Sequence, residues 1–486
     1  MTVSAALPPR RRARRFRTLA AAPSVVAGAT LCVEPAPAQR DPIEGEWFGV
    51  AEAAPDSGLP VSVRLTVRLR HDSVFAELAL PESRQIALAI PSPYSDSTHA
   101  SYAGGVLRME FTPDIGLGFI GRLGIPREAE RIRFEGRLAA PDRLAGRIEI
   151  TTYASPITLR RGRPAAEYRE EAVRFTSPAT PLTLGGKLVL PPGRGPFPAV
   201  VFVTGSDPDT RDAWLYEAAA LARRGVASLL YDKRGVGESA GASHDLASWD
   251  DLADDAGAAV RYLLSRGDVI DTARVGMVGQ SQGTWIITKV AVRDPAVRFL
   301  VFISGNGMSA AEQETYRTGA LMAADGFAAA EIERARAFQR QKFQVARTGV
   351  GWEALDSAMA RLRADSVRWF PGYGTGAAAR TLGGLRLYGV LQFNYDPRPD
   401  LRRIRVPVLV VMGGGDLVFP PDTVVRRMRE ALAQAGNRDV TTHVVPGASH
   451  GLMAVQSWRG RPFRRAISPE FLRTLTEWVA DRARRR

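Results

Sequence analysis

At roughly 150 residues per domain, a chain of 486 residues has room for two domains, an insertion and a large core. The net charge of +14 is an arginine excess spread along the sequence. Beyond the first residues no basic run sits beside stacking aromatics, which excludes a nucleic-acid partner. The single cysteine, Cys32, excludes a disulfide framework and a cysteine-based metal site, and no phosphate loop, dinucleotide fingerprint or metal-ligand spacing occurs.

Residues 1–38 read as an export signal. Arg10 to Arg17 form a basic segment, Leu19 to Val33 a short apolar stretch, and Ala36-Pro37-Ala38 a small-x-small cleavage signal. The expected location is periplasmic or extracellular, with Arg14-Arg15 leaving both the general and the twin-arginine export routes open. The apolar stretch is too short to span a membrane. Leu31 precedes Cys32 where a lipobox requires a small residue, so no stable membrane anchor is expected. Cleavage after Ala38 removes the cysteine, six arginines and Glu34, which lowers the net charge from +14 to +9.

Residues 41–161 carry strand signals. Val61 to Arg70 alternates apolar and polar side chains strictly, the pattern of a half-buried antiparallel strand. Shorter alternations recur at Val106–Phe111, Arg131–Leu138 and Arg147–Ile150, separated by glycine, proline and aspartate. They predict a small barrel or sandwich with no catalytic constellation. Arg160-Arg161-Gly162-Arg163-Pro164 reads as a linker.

From about residue 170 onward, strands alternate with helices, which predicts a mostly parallel sheet covered on both faces. Pro198–Val203 is a strand, followed by the loop Thr204–Asp209 and a helix from Asp212 to Arg224. Val226–Asp232 is the next strand, and Ser248-Trp249-Asp250-Asp251 is a capping box that opens a helix. Arg274–Val278 and Phe299–Ile303 are strands. Residues 305–403 are helical in pattern, with one amphipathic helix over Ala328–Arg347 and aromatic surface at Trp369, Phe370, Tyr373, Phe393 and Tyr395, which reads more readily as core than as substrate contact. The strand Val406–Met412, the helix Thr423–Ala435 and the strand Val440–Val445 follow.

Two stretches of the sequence read Gly-x-Ser-x-Gly. A nucleophilic serine requires a sharp turn between a buried strand and a helix, so that its hydroxyl stands clear and helix amides face the reacting oxygen. Ser281 meets that requirement, since the apolar run Arg274–Val278 leads into Gly279-Gln280-Ser281-Gln282-Gly283 and a helix leaves it. Ser239, in Gly237-Glu238-Ser239-Ala240-Gly241, sits in a glycine-rich loop and reads as structural. Such a serine needs a base to take its proton and a carboxylate to orient that base. Of the five histidines, His71, His99 and His244 lie upstream, and His443 is inside a strand pattern. His450 falls in a turn-rich loop at the carboxyl end of a strand, where open α/β sheets place function. Asp416, just past Gly413-Gly414-Gly415, is the candidate acid; its rival Asp422 opens a helix, where aspartate ordinarily caps. The order Ser281, Asp416, His450 is that of α/β-hydrolases. The oxyanion-hole amides are then those of Gln282, after the nucleophile, and Ser206, in the loop after the Pro198–Val203 strand.

With Thr204-Gly205-Ser206, Tyr231-Asp232-Lys233-Arg234-Gly235-Val236-Gly237-Glu238-Ser239, the Ser281 elbow, Gly415-Asp416 and Ser449-His450-Gly451, the chain from about Glu170 to its end resembles the α/β-hydrolases. It is most similar to the EstD-type esterases, a group with serine aminopeptidase-like members. Two positions depart from that family: Thr204 stands where it has histidine, and the elbow has Gln280 and Thr284 where it reads His-Ser-Gln-Gly-Gly. The resemblance implies an α/β-hydrolase fold over 170–486, with a helical cap at about 306–403. The small β-domain over 41–161, opened by Gly45-Glu46-Trp47-Phe48-Gly49, is a frequent companion in the family.

The expected function is a serine esterase that cleaves a small-molecule ester through an acyl-enzyme, with no cofactor and no metal. Two alternatives remain. One is a peptidase with the same triad, for which Glu312, Glu314 and Asp396 are candidate anchors of a peptide terminus. The other is a non-catalytic binding protein. Acyl-chain length, leaving group and oligomeric state are not legible in the sequence.

Overall fold

The computed structural model describes residues 41–51, 60–70, 73–83, 85–89, 98–111, 132–162, 168–177, 181–374, 381–389 and 393–484; the expected export signal lies outside them. The alternating segments that come first form one antiparallel sheet. Its strands are β1 Gly45–Val50, β2 Ser62–Arg70, β3 Ser73–Leu80, β4 Gln85–Ala89, β5 Thr98–Ala103, β6 Val106–Phe111, β7 Ile132–Ala140, β8 Arg143–Ile150 and β9 Tyr153–Arg161. They run in the order β4-β3-β2-β1-β9-β8-β7-β6-β5. β5 also lies against β3 and β4, so the sheet curls back on itself into a barrel-like shell.

The period of two in the sequence is the period of burial. Along β7, Ile132 and Phe134 are buried while Arg133 and Glu135 face out. Trp47, Leu65, Phe134, Ile148, Tyr153 and Leu159 fill the interior. Outside, cross-strand pairs such as Arg108–Glu135 at 3.0 Å and Arg133–Glu110 at 3.1 Å are exposed. Each is worth about 0–1 kcal/mol in water, so they favour one register more than they hold the sheet together.

The second sheet belongs to the alternating half: β10 Arg169–Ser177, β11 Leu182–Leu190, β12 Phe197–Val203, α1 Leu215–Ala222, β13 Ala227–Tyr231, α2 Trp249–Ser265, β14 Ile270–Gln280, α3 Gln282–Ala291 and β15 Val297–Ile303. Among the described residues the helices α4 Ala310–Ala324, α5 Ala329–Thr348, α6 Trp352–Ala364, α7 Leu382–Tyr388 and α8 Arg398–Leu401 follow. The chain then completes the sheet with β16 Val408–Gly413, α9 Pro421–Gln434 and β17 Val440–Val445, and ends with β18 Met453–Trp458, β19 Arg461–Ile467 and α10 Pro469–Arg484. The order is β10-β11-β13-β12-β14-β15-β16-β17. β10 and β11 are antiparallel additions at one edge, and from β13 to β17 every pairing is parallel.

Its central strands are continuously apolar because both faces are covered. On β16, Val408, Val410 and Met412 pack with α2, α3 and α9, whereas Leu409 and Val411 pack with α1 and α10. Ser248 and Asp251 form the expected capping box at the start of α2. The helices α4 to α7 enclose a separate small core containing Met322, Phe338, Leu355, Trp369 and Phe370. Trp369 and Phe370 are therefore interior side chains, as the sequence suggested for most aromatics of this insertion. Among the described residues no helix is long and apolar enough to cross a membrane.

The hairpin β18–β19 joins the two sheets. Phe463 is fully buried in the core of the first sheet, with its ring 5.0 Å from that of Tyr153, and Trp458 meets the same tyrosine edge-on at 5.2 Å. Beside it Arg464 donates to Gln456 Oε1 at 2.6 Å and to the Pro60 carbonyl at 2.5 Å. Its guanidinium also lies 3.8 Å from Glu82, whose carboxyl is pushed up by burial.

Candidate active site

The turn from β14 to α3 is bent sharply. Ser281 has φ 52° and ψ −118°, a conformation that L-residues avoid unless the surroundings enforce it. Here Ser281 N–H donates to the Ile303 carbonyl at 3.0 Å, and Thr284 Oγ1 donates to the Ser281 carbonyl at 2.6 Å. The two glycines of the motif allow the approach. A Cβ on Gly279 would lie 2.6 Å from the Gly283 carbonyl oxygen, and one on Gly283 only 2.2 Å from the Val203 carbonyl oxygen.

The loop after β12 closes on this turn. A Cβ on Gly205 would stand 3.4 Å from Ser281 Cβ and 2.6 Å from Gln280 Oε1, so Thr204-Gly205-Ser206 runs directly alongside the elbow. Gln282 is the first residue of α3, and first-turn N–H groups have no acceptor within their own helix. Ser206 and Gln282 thus belong to the two backbone segments that meet at the half-buried Ser281.

Asp416 and His450 are joined. Asp416 follows β16 with its side chain fully buried, and His450 Nδ1 lies 2.8 Å from its Oδ2. The other carboxylate oxygen accepts from Val418 N–H at 2.7 Å and Phe419 N–H at 3.0 Å, which fixes the rotamer. The imidazole stacks on Phe419, 5.9 Å between centroids and 8° between planes, and Phe419 touches the Trp285 ring of α3 at 5.4 Å. With Nδ1 engaged, Nε2 is the nitrogen left for chemistry. The loop is cinched at its neck: Ser449 N–H donates to the Met453 carbonyl at 2.9 Å, and Met453 N–H to Ser449 Oγ at 3.4 Å. Ser281, Asp416 and His450 follow β14, β16 and β17, whose last residues align through Gln280↔Ile303, Ile303↔Val411 and Val411↔His443. All three lie beyond the carboxyl edge of one sheet.

The rival residues have other employment. Ser239 is buried, accepts from Gly185 N–H at 3.0 Å and donates to the Asp232 carbonyl at 2.7 Å. His443 pairs with Glu470 at 2.7 Å, and Asp422 lies in the first turn of α9.

Two residues unforeseen from the sequence adjoin the site. Lys233, two residues past the end of β13, donates to the Gly205 carbonyl, to the Asp207 carbonyl at 3.1 Å and to Gln282 Oε1 at 3.4 Å. His244 Nε2 donates to the Ser206 carbonyl at 3.0 Å. The signal of Lys233 in the sequence was compositional: the chain has four lysines, Lys187, Lys233, Lys289 and Lys342, among a large excess of arginines. An ammonium enters a compact cradle of acceptors that a guanidinium fork does not match.

A bent serine elbow, a buried aspartate–histidine pair and a mostly parallel sheet define the α/β-hydrolase class. A family model described as the alpha/beta hydrolase family matches residues 188–460, more than half of the chain, and the chain belongs to that family. Esterase EstD of Thermotoga maritima is 35% identical over 120 residues, which cover 23% of this chain and 28% of that protein, so the match spans little more than a quarter of the relative. Among solved structures, an esterase of Pyrococcus furiosus matches 65% of this chain and 90% of its own, at 14% identity and a TM-score of 0.41. The 2,6-dihydroxy-pseudo-oxynicotine hydrolase matches 66% of this chain and 69% of its own, at 17% identity and a TM-score of 0.39.

Proposed function

We propose that the protein is a serine hydrolase of carboxylic esters. Ser281 Oγ attacks the acyl carbonyl while His450 takes its proton, and Asp416 holds the imidazole and stabilises its charged form. The Ser206 and Gln282 amides receive the negative charge of the tetrahedral intermediate. His450 returns the proton to the leaving alkoxide, and water, deprotonated by the same imidazole, then clears the acyl-enzyme. The observation that carries the reading is the 2.8 Å contact between His450 and the buried Asp416, at the same sheet edge as a serine held at φ 52°.

A peptidase would need a free carboxylate to hold a substrate amino terminus. Glu312 is bound by Arg398 and Arg427 at 3.4 and 3.2 Å, Glu314 by Arg317 at 2.7 Å, and Asp396 by Arg398 at 2.7 Å. That pairing supports the ester reading. The test compares turnover of p-nitrophenyl butyrate with that of aminoacyl-nitroanilides, alongside fluorophosphonate labelling of wild type and Ser281→Ala. Ester turnover with labelling lost in the variant is expected. Amide-only turnover, or equal labelling of the variant, overturns the proposal.

A further inference from the structure

Lys233 lies between two anchored neighbours. Asp232 is gripped by the Arg211 guanidinium at 2.5–3.1 Å and by the Arg211 and Glu238 amides at 2.7 and 2.8 Å. Arg234 makes a bidentate pair with Asp255 at 2.7 and 2.9 Å. With both flanks fixed, the Lys233 side chain is held in the interior, where its three N–H donors meet three acceptors: the Gly205 and Asp207 carbonyls and Gln282 Oε1. Those acceptors belong to the two segments that supply the oxyanion amides.

In a planar trans peptide the C=O and N–H point in opposite directions. Gly205 C=O and Ser206 N–H are one peptide group, so tying the carbonyl to an ammonium aims that N–H away from Lys233, and the positive charge on the oxygen strengthens the amide as a donor. The next two carbonyls, Ser206 and Asp207, are held in turn by His244 and Lys233, so the loop has three consecutive anchored carbonyls.

Resting on the serine-hydrolase reading above, we propose that Lys233 is a positioning residue for the oxyanion hole, whose ammonium locks and polarises the Gly205–Ser206 peptide and orients the Gln282 end of α3. Burial lowers the Lys233 pKa to about 8, against the opposing influence of Asp209, Asp207 and Asp245. The other groups around it are His244 on the Ser206 carbonyl and, lining a gap of about 10 Å³ beside it, Tyr231, Arg234 and Asp255. The ammonium is therefore intact well below pH 8 and lost as the pH rises through that value, and the hole loosens with it.

The test uses the full chain with p-nitrophenyl butyrate. Lys233→Met should lower kcat by ~10–100-fold, a share of what a lost oxyanion donor costs, with KM within about 3-fold. It should also erase an alkaline decline of kcat centred near pH 8 in the wild type. A second variant, Asp207→Asn, removes an exposed carboxylate facing Lys233 but keeps the carbonyl, and should shift that decline to lower pH. Fluorophosphonate titration counts competent sites, so misfolded protein is not scored as slow protein, and the Asp207 result stands if Lys233→Met does not fold. An unchanged kcat in Lys233→Met, or a decline that Asp207→Asn does not move, overturns the inference. Activity surviving in Ser281→Ala instead sinks the hydrolase reading itself.

Discussion

Gly283→Ala adds one methyl group at the place where α3 touches β12. The new Cβ would sit 2.2 Å from the Val203 carbonyl oxygen and 2.8 Å from that of Thr204. A carbon rarely approaches a carbonyl oxygen closer than ~3.3 Å, so the start of α3 must retreat by about 1 Å. Gly283 is in ordinary helical backbone, which makes the cost wholly steric. Overpacking of this kind costs ~1–3 kcal/mol, or roughly 2–10 °C in Tm for a domain of this size. The catalytic cost is larger in proportion, because Ser281 and the Gln282 amide ride on the displaced turn, and an error of ~1 Å in such geometry slows reaction ~10²-fold. The assay is kcat on p-nitrophenyl butyrate, the rate of fluorophosphonate labelling and a thermal melt, measured on one preparation. A variant within 3-fold of wild type in both rates, with an unchanged melt, would refute the idea that close backbone contact fixes the elbow.

Asp416→Asn keeps an acceptor for the Val418 and Phe419 amides but can turn an NH₂ toward His450 Nδ1, which stabilises the wrong tautomer; kcat should fall ~10³–10⁴-fold with only a small change in Tm, and a loss under 10-fold counts against the orienting role. Ser239→Ala strips the bridge between Gly185 and Asp232 and should cost ~1–3 kcal/mol of stability in a urea melt without abolishing fluorophosphonate labelling. Lys342, buried among the cap helices and donating to the Gly374 carbonyl at 2.7 Å, has its pKa lowered by burial to about 8. The unfolded chain therefore binds more protons between about pH 8 and 10.5. Stability from this group thus rises with pH across that window, by about 2 kcal/mol at pH 9.5. Urea midpoints of wild type and Lys342→Met at pH 7 and 9.5 check this, and a difference that stays constant with pH contradicts it.

Local pattern carried far in this chain. The strict alternation over Val61–Arg70 is the in-and-out burial of β2, and the continuous apolar run Val406–Met412 belongs to a strand covered on both faces. The placement of Asp416 and His450 past successive strands was legible because strand ends and glycine-rich loops mark sheet edges in one dimension. What escaped was set by contacts between distant segments. Helix α1 begins at Leu215 rather than Asp212, since Arg211 is drawn off to Asp232 and Lys187 meets Asp212 at 2.6 Å. The role of Lys233 depends on carbonyls 28 and 26 residues away. The hairpin β18–β19 is marked only by short alternations about Arg459-Gly460, both at positive φ, and its partner surface comes from more than 300 residues earlier.

That hairpin begins three residues after the imidazole and carries an aromatic ring sunk in the other sheet. The first sheet is accordingly a foundation for the loop that carries His450, and not a detachable attachment to the hydrolase fold. Excising it would strip Phe463, Trp458 and the guanidinium of Arg464 of their surroundings, and slack would enter at Met453, the residue that cinches Ser449. Any graft of this hydrolase half onto another partner would have to rewrite residues 453–467 at the same time.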